Sequence, residues 1–371
     1  MRFLLLLTLA LIAYGSLYPF DFVTRANGVA EVARLFVRPA FDMKRGDIVG
    51  NLLLFVPYGF VAVLAARAHR RPGLACLGYV VAGVVLALGL QVAQIWLRSR
   101  TPALGDAAVN AAGLLIGLAL GALALRLRPS LGDARQSAAL VPLALMLAWL
   151  AYQWYPLVPT LDWQNVKNAL KPLLLAPRLD TVRILTTAVS WAAFFTLWGL
   201  LAAGRSSAIV KALGGLAILC GKAFIVGAGI SLANLVGLGL AIIALPWLQH
   251  PRALPVLSVA ILASLFLSGL QPFTPSATAR DFEWIPFTGM LEGSMAINLA
   301  NLLEKTFLYG AAILFMHRHG ARPLPAAIGV TLCLAAIEAA QVFLPGRTAE
   351  STDPVLALLL GVVMAQLSRR G

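Results

Sequence analysis

Twelve runs of apolar residues, separated by short polar segments, decide most of what this chain can fold into. A helix needs roughly 20 apolar residues to cross the roughly 30 Å of a bilayer's hydrocarbon core. The chain is 60% hydrophobic and only 12% charged, whereas soluble domains carry roughly 25% charged residues. The sequence therefore predicts an all-α polytopic bundle of transmembrane helices. The predicted spans are 3–19, 47–66, 73–96, 105–125, 138–154, 182–203, 209–227, 229–248, 252–270, 295–316, 324–344 and 353–368.

The distribution of charge gives these spans a direction. The net charge is +14, but no basic patch with interleaved stacking aromatics is present, so nucleic acid is not an expected partner. With the N-terminus in the cytoplasm, the inner segments hold 14 basic residues and one acid, and the outer segments hold 13 and 12. This bias obeys the positive-inside rule. We expect a multi-pass protein of the cell (plasma or inner) membrane with both termini in the cytoplasm.

The N-terminal run MRFLLLLTLALIAYGSLYPF is interpreted as a first span that is retained. It begins like a signal peptide, with an arginine before an apolar stretch. No clear small-x-small cleavage site follows it, and many further spans do. We therefore count it among the twelve.

The spans fall into three groups of four. Each group opens with a span that ends near a proline, in LYPFDF (17–22), WYPLVP (154–159) and LQPFTP (270–275). A long outer segment follows each of these, and then three closely spaced spans. This period predicts three repeated units of one orientation, 1–135, 136–250 and 251–371.

The first long outer segment is predicted to contain a helix. In GVAEVARLFVRPAF (28–41), apolar residues recur at helical spacing and arginines lie on another face. Such a helix lies at the membrane interface, or it packs on the bundle as an ordinary loop helix. The sequence leaves both alternatives open.

A polar pattern recurs at the same place in the first and third units. QIWLRSRTPALGD (94–106) is followed 247 positions later by QVFLPGRTAESTD (341–353), with Gln, Arg and Asp at matching places. In the middle unit, Ile218, Phe224 and Ile230 occupy those places. The middle unit is therefore predicted to be structural.

These residues resemble the VanZ-like family. The resemblance rests on NLLLFVPYGF (51–60), on QVAQIWLRSRTPALGDAAVNAAGLLIG (91–117) and on EAAQ (338–341). It departs at Gln91, where glutamate is usual, and at Ala357, where asparagine is usual. The resemblance implies three tandem VanZ-like copies, the middle one degenerate, in an envelope membrane protein linked to low-level teicoplanin resistance. It implies no particular biochemical activity.

The candidate site residues are the polar groups of the first and third units. In the first unit they are Asn51, Gln91, Gln94, Arg100, Asp106 and Asn110. In the third unit they are Lys305, Glu338, Gln341, Arg347 and Asp353. In one interpretation each Asp caps its helix and pairs with the Arg. In the other, the Arg binds an anionic headgroup or phosphate, and the Asp holds it or acts as a base.

Glu338 is unusual because it lies about six residues below the outer end of its predicted span. An ionisable group inside a span is costly and often functional. Lys305 is its expected partner, and Glu304 competes for the same lysine. The group is either a buried ion pair that fixes helix register or part of a site. Lys222 has no acid in its own unit and is expected to extend towards the interface.

Other motifs bound the possible functions. The glycines of GLLIGLALG (113–121) predict a close helix-packing face. The four histidines all map to the cytoplasmic side and the three cysteines fall in apolar runs, so no cofactor and no metal site is predicted. Membrane lipids, and an anionic or lipid-linked envelope component, are the expected partners. A membrane enzyme acting on an envelope lipid and a transporter remain alternatives.

Overall fold

The structure is a computed structural model of the chain, and it divides into two compact units, 1–137 and 138–371. It describes residues 2–37, 45–127, 140–175, 177–292 and 295–368. Among these residues the fold is almost entirely helical, with one pair of two-residue strands. The predicted all-α helical membrane protein is confirmed. The division into three repeats stays a prediction.

In its described residues the first compact unit contains five helices. They are α1 (Arg2–Leu17), α2 (Gly28–Val37), α3 (Arg45–Ala66), α4 (Pro72–Gln94) and α5 (Leu104–Leu127). The predicted helix at 28–41 is α2, and residues 38–41 lie outside the described part of the chain. It buries Leu35 but exposes Val29 and Val37.

Glycines bring α3 and α5 into backbone contact. A Cβ at Gly113 would overlap the carbonyl oxygen of Leu52, and one at Gly117 would overlap that of Val56. A Cβ at Gly59 would in turn overlap a carbonyl oxygen of α5. The close packing predicted from 113–121 is therefore confirmed, because only residues without a Cβ allow this approach.

The second unit contains the remaining elements. They are α6 (Leu140–Gln153), α7 (Trp163–Leu174), α8 (Thr181–Leu201), α9 (Ala208–Lys222), α10 (Leu232–Leu248), α11 (Ala253–Gly269), β1 (Phe282–Glu283), α12 (Thr288–Glu292), α13 (Met295–Arg318), α14 (Pro323–Gln341), β2 (Ala349–Glu350) and α15 (Thr352–Ser368). Several of these helices begin at a capping side chain. Asp162, Asp180 and Ser207 cap α7, α8 and α9, and Ser231 forms a capping box at the start of α10.

Each predicted span coincides with one helix. Among the described residues, five helices are long and apolar enough to cross a membrane: Pro72–Gln94, Leu104–Arg126, Thr181–Leu201, Asn298–Arg318 and Pro323–Gln341. The shorter apolar helices are Phe3–Leu17, Gly50–Ala66, Leu140–Gln153, Leu232–Leu248, Ala253–Gly269 and Thr352–Ser368. The remaining predicted span, 209–227, contains α9, which ends at Lys222 after 15 residues.

Aromatic packing joins α6, α8 and α13 in the core of the second unit. Trp149 stacks on Phe194 with ring centroids 4.6 Å apart, and it contacts Trp191 edge-on at 4.4 Å. Its ring centroid also lies 5.7 Å from that of Phe307 on α13. One core therefore joins helices from the predicted second and third repeats, which is why 138–371 forms one compact unit.

The three proline segments share one backbone conformation. The peptide bonds Tyr18–Pro19, Tyr155–Pro156 and Gln271–Pro272 are cis, and the next residues, Phe20, Leu157 and Phe273, have φ of 64°, 64° and 63°. Each of these segments carries the chain from the end of a helix into a long connecting segment.

Candidate functional site

In the first unit, Gln94 and Arg100 join the end of α4 and the α4–α5 connection to the end of α1, and Gln91 holds the connection against α4. Gln94 donates its Nε2 to the Ser16 carbonyl at 2.8 Å, and Arg100 donates its Nε to the Tyr18 carbonyl at 3.0 Å. The Oε1 of Gln91 accepts the backbone N–H of Ala103 at 2.9 Å. The last carbonyls of a helix have no partner within the helix. Gln94 and Arg100 supply donors to carbonyls at the end of α1, and Gln91 fixes the connection by accepting from Ala103.

The other first-unit candidates lie on α3 and α5. Asn51 and Asp106 are half-buried. Asn110 is buried, at 2% exposure, and its Oδ1 has no hydrogen-bond partner. Each of these three residues lies towards the start of its own helix, the end at which Gln91 and Gln94 complete α4.

The predicted third repeat makes matching contacts, with donors 247 positions after Gln94 and Arg100. Gln341 donates to the Gly269 carbonyl at 3.1 Å. Arg347 donates its Nε to the Gln271 carbonyl at 2.9 Å and its Nη2 to the Ser268 carbonyl at 2.6 Å. The recurring Gln and Arg therefore have a structural task in both units, which is to fix a helical hairpin to the end of a neighbouring helix.

Glu338 occupies the place of Gln91 and makes the equivalent bond. Its Oε2 accepts the backbone N–H of Glu350 at 2.8 Å. Its side chain is therefore turned towards the α14–α15 connection. Lys305, its expected partner, forms its short ion pair with Asp353 instead.

Asp353 is the centre of a charged cluster between α13 and α15. Its Oδ1 lies 2.6 Å from the Nζ of Lys305, and its Oδ2 accepts the hydroxyl of Tyr309 at 2.7 Å. Glu350 Oε1 lies 4.0 Å from the same Nζ. The alternative in which Asp353 pairs with Arg347 is wrong, because Arg347 uses its donors on backbone carbonyls and Asp353 faces α13.

The middle segment makes the corresponding joint with different residues. The Ile218 carbonyl accepts the indole N–H of Trp154 at 2.9 Å. Asn165 on α7 donates to the carbonyls of Ala223 and Ile225, both at 3.1 Å. These donors replace the Gln and Arg of the other units, and nothing in the sequence pattern predicted them.

A polar cavity of about 480 Å³ lies within the second unit. This volume falls within the roughly 300–1,000 Å³ that is usual for ligand sites. Its charged lining residues are Arg183, Lys222, Glu304, Lys305, Glu338, Arg347, Glu350 and Asp353. Uncharged polar residues also line it: Tyr152, Gln153, Thr186, Thr187, Ser190, Asn234, Ser264, Ser268, Asn301, Tyr309, Gln341 and Thr348.

The cavity lies at one end of the helices of the second unit. Lys222 and Gln341 are the last residues of α9 and α14, whereas Arg183 and Asp353 lie in the first turns of α8 and α15. All five candidate residues of the third unit line this cavity. Residues of the predicted middle unit line it too, and the expectation that this unit is structural stays a prediction.

Residues 3–126 match the VanZ/LLP1 family model. The match covers less than half of the chain and includes every candidate residue of the first unit. No curated protein and no solved structure matches the chain. The Gln and Arg contacts found within the matched residues also occur in the second compact unit, which carries the charged cavity.

Several residues that line this cavity were not predicted from the sequence. Tyr309 follows Lys305 by one helical turn, the spacing that places two side chains on one helix face. Tyrosine hydroxyls are too common in sequences for this spacing to have predicted a site residue. Arg183 and Tyr152 lie on helices that lack the VanZ-like polar pattern. Only the packing of α6 and α8 against α13 brings them to the site.

Proposed function

We propose that this chain is a VanZ-like integral membrane protein of the cell envelope, with three tandem VanZ-like units of which the middle one is degenerate. We further propose that the second compact unit binds an anionic or lipid-linked envelope component and thereby affects susceptibility to glycopeptides such as teicoplanin. The charged cavity is the observation that carries this function. Its cations offer ligands for phosphate or carboxylate.

The position of the cavity supports an outer-face site. Its lining residues lie at the ends of α6, α9, α11 and α14, which the charge bias assigns to the outside. A reporter fused after Leu344 should therefore be active outside the cytoplasm, and one fused after Gly320 should be active only inside. The reverse pattern would place the cavity on the cytoplasmic face and exclude an outer envelope ligand.

Deletion of the gene tests the function directly. We expect the deletion strain to change its teicoplanin susceptibility, and expression of the wild-type chain to restore it. A chain with Arg183→Gln and Lys222→Met should not restore it at equal membrane abundance. Arg178→Gln is the matched control, because Arg178 is exposed and lies outside the cavity. Equal complementation by the cavity variant would contradict the proposal.

A transporter is the second candidate function. The specific observation in its favour is that helices of two predicted repeats line one polar cavity, since transporter sites lie at repeat interfaces. Binding remains the better proposal because, apart from Glu304 and Lys305 in the middle of α13, the charged lining residues lie near one end of their helices or in the α14–α15 connection. Mass spectrometry of envelope lipids in the deletion strain distinguishes binding and transport from the enzyme alternative, because an enzyme requires an altered lipid profile.

A further inference from the structure

The charges of the cavity are divided by α13 into two groups. Glu304 and Lys305 are consecutive on α13, and consecutive residues of a helix point about 100° apart. Lys305 lies with Asp353 and Glu350. Glu304 hydrogen-bonds Tyr152 on α6 and has Lys305, Lys222 and Arg183 as its neighbouring cations. Both groups line the same cavity.

The two groups are of opposite character. On the side of α14 and α15, the carboxylates of Glu338, Glu350 and Asp353 outnumber the two cations, Lys305 and Arg347. On the side of α8 and α9, Arg183 and Lys222 face the single carboxylate of Glu304. Within the described part of the chain, Lys222 makes one hydrogen bond, a long one of 3.4 Å to Gln153. The cavity therefore presents spare cationic donors on one side and spare carboxylate acceptors on the other.

We propose that the cavity binds a zwitterionic aminoalkyl phosphate, with its phosphate against Arg183 and Lys222 and its primary ammonium against Glu350. This inference rests on the proposed function and names the ligand class of the same site. The cavity lies at the ends of predicted spans, where phosphate is the abundant anion of lipid headgroups. An ammonium has three N–H donors for the carboxylates, whereas a quaternary amine has none.

Soluble compounds test each half of the ligand. The full-length protein is placed in phosphatidylcholine nanodiscs, and binding is followed by the concentration dependence of thermal unfolding. O-phosphoethanolamine should bind at least tenfold more tightly than each of three partial ligands. Glycerol phosphate lacks the amine, ethanolamine lacks the phosphate, and phosphocholine lacks the N–H donors. Equal binding of glycerol phosphate and O-phosphoethanolamine would overturn the assignment of the ammonium to Glu350.

Variants locate the binding. Arg183→Gln and Glu350→Gln should each weaken binding of O-phosphoethanolamine at least tenfold. Arg178→Gln and Glu283→Gln are the matched controls, since both side chains are exposed and neither lines the cavity. Controls that weaken binding as much as the cavity variants would overturn the site.

A second experiment shows whether the ligand is a lipid headgroup or a free molecule. The protein is purified from mixed bilayers, and the lipids that it retains are identified and quantified. Selective retention of phosphatidylethanolamine over phosphatidylcholine, lost in Glu350→Gln, supports a headgroup as the ligand, while binding of the soluble compound alone supports a free molecule. No selectivity in either arm overturns the inference. The proposed function is tested separately. It stands even without that selectivity if the double variant Arg183→Gln, Lys222→Met fails to complement the deletion strain.

Discussion

At the scale of single residues, Asp353 shows how position along a sequence differs from the contacts a residue makes. It lies six positions after Arg347, yet its oxygens bond Lys305 and Tyr309 on α13. Asp353 retains little exposure, whereas the Lys305 side chain keeps 32%. The pair is therefore partly screened, and removing one partner should cost less than the roughly 3–5 kcal/mol expected for a fully buried pair.

The Lys305–Asp353 pair should be strongly coupled. We expect Lys305→Met and Asp353→Asn each to lower the free energy of unfolding by about 2–3 kcal/mol, because each leaves the other group without its partner. The double variant should lose less than the sum of the two. Unfolding in detergent measures the cycle, with Lys167→Met on the exposed face of α7 as control. Additive losses would mean that the two groups do not interact energetically.

The two recurrent arginines should differ in importance. Arg347 donates to two carbonyls and Arg100 has one such bond to Tyr18. Lysine lacks the planar fork that serves two acceptors at once. We expect Arg347→Lys to cost about 2 kcal/mol and Arg100→Lys about 1 kcal/mol. Arg98→Lys, an exposed change in the same connection, should leave the melting temperature unaltered. A larger loss at position 100 than at 347 would contradict this order.

At the scale of elements, the helices were predictable and their partners were not. Apolar runs identified each span because a helix in hydrocarbon must satisfy its backbone internally. The joint between Trp154 and Ile218 was not predictable, because an indole N–H carries no sequence pattern that names its acceptor 64 positions away. The partner of Lys305 could not be predicted for the same reason. Its nearest candidate acid in a neighbouring span was Glu338, but the geometry of the α14–α15 connection brings Asp353 closer.

The α3–α5 contact should tolerate no side chain at Gly113. Gly113→Ala places a Cβ against the Leu52 carbonyl oxygen, so the helices must separate and lose packing along their length. We expect a clear fall in the yield of monodisperse protein in size-exclusion chromatography. Gly78→Ala on α4 is the matched control, since nothing lies within 4 Å of that position. Equal yields from both variants would show that the α3–α5 interface adjusts freely.

At the scale of the whole molecule, packing shows two compact units, whereas the three sequence repeats stay a prediction. The predicted boundary at 250/251 separates α6 and α8 from α13, whose aromatic side chains pack in one core around Trp149. It also divides the charged cavity. A sequence repeat and a unit of packing are therefore different things here, since the helices of the second unit bury their apolar faces against both predicted repeats.

Expressing parts of the chain separately should distinguish a sequence repeat from a unit of packing. Chains 1–137 and 138–371, expressed apart, should each insert and remain monodisperse in detergent, because each unit keeps its own core. Chain 138–250 should aggregate or be degraded, because it exposes Trp149 and Phe194 where α13 would cover them. Chain 251–371, which loses α6 and α8, is its matched counterpart. Stable, monodisperse 138–250 would mean that the middle repeat is an independent folding unit and that the shared core contributes little to its stability.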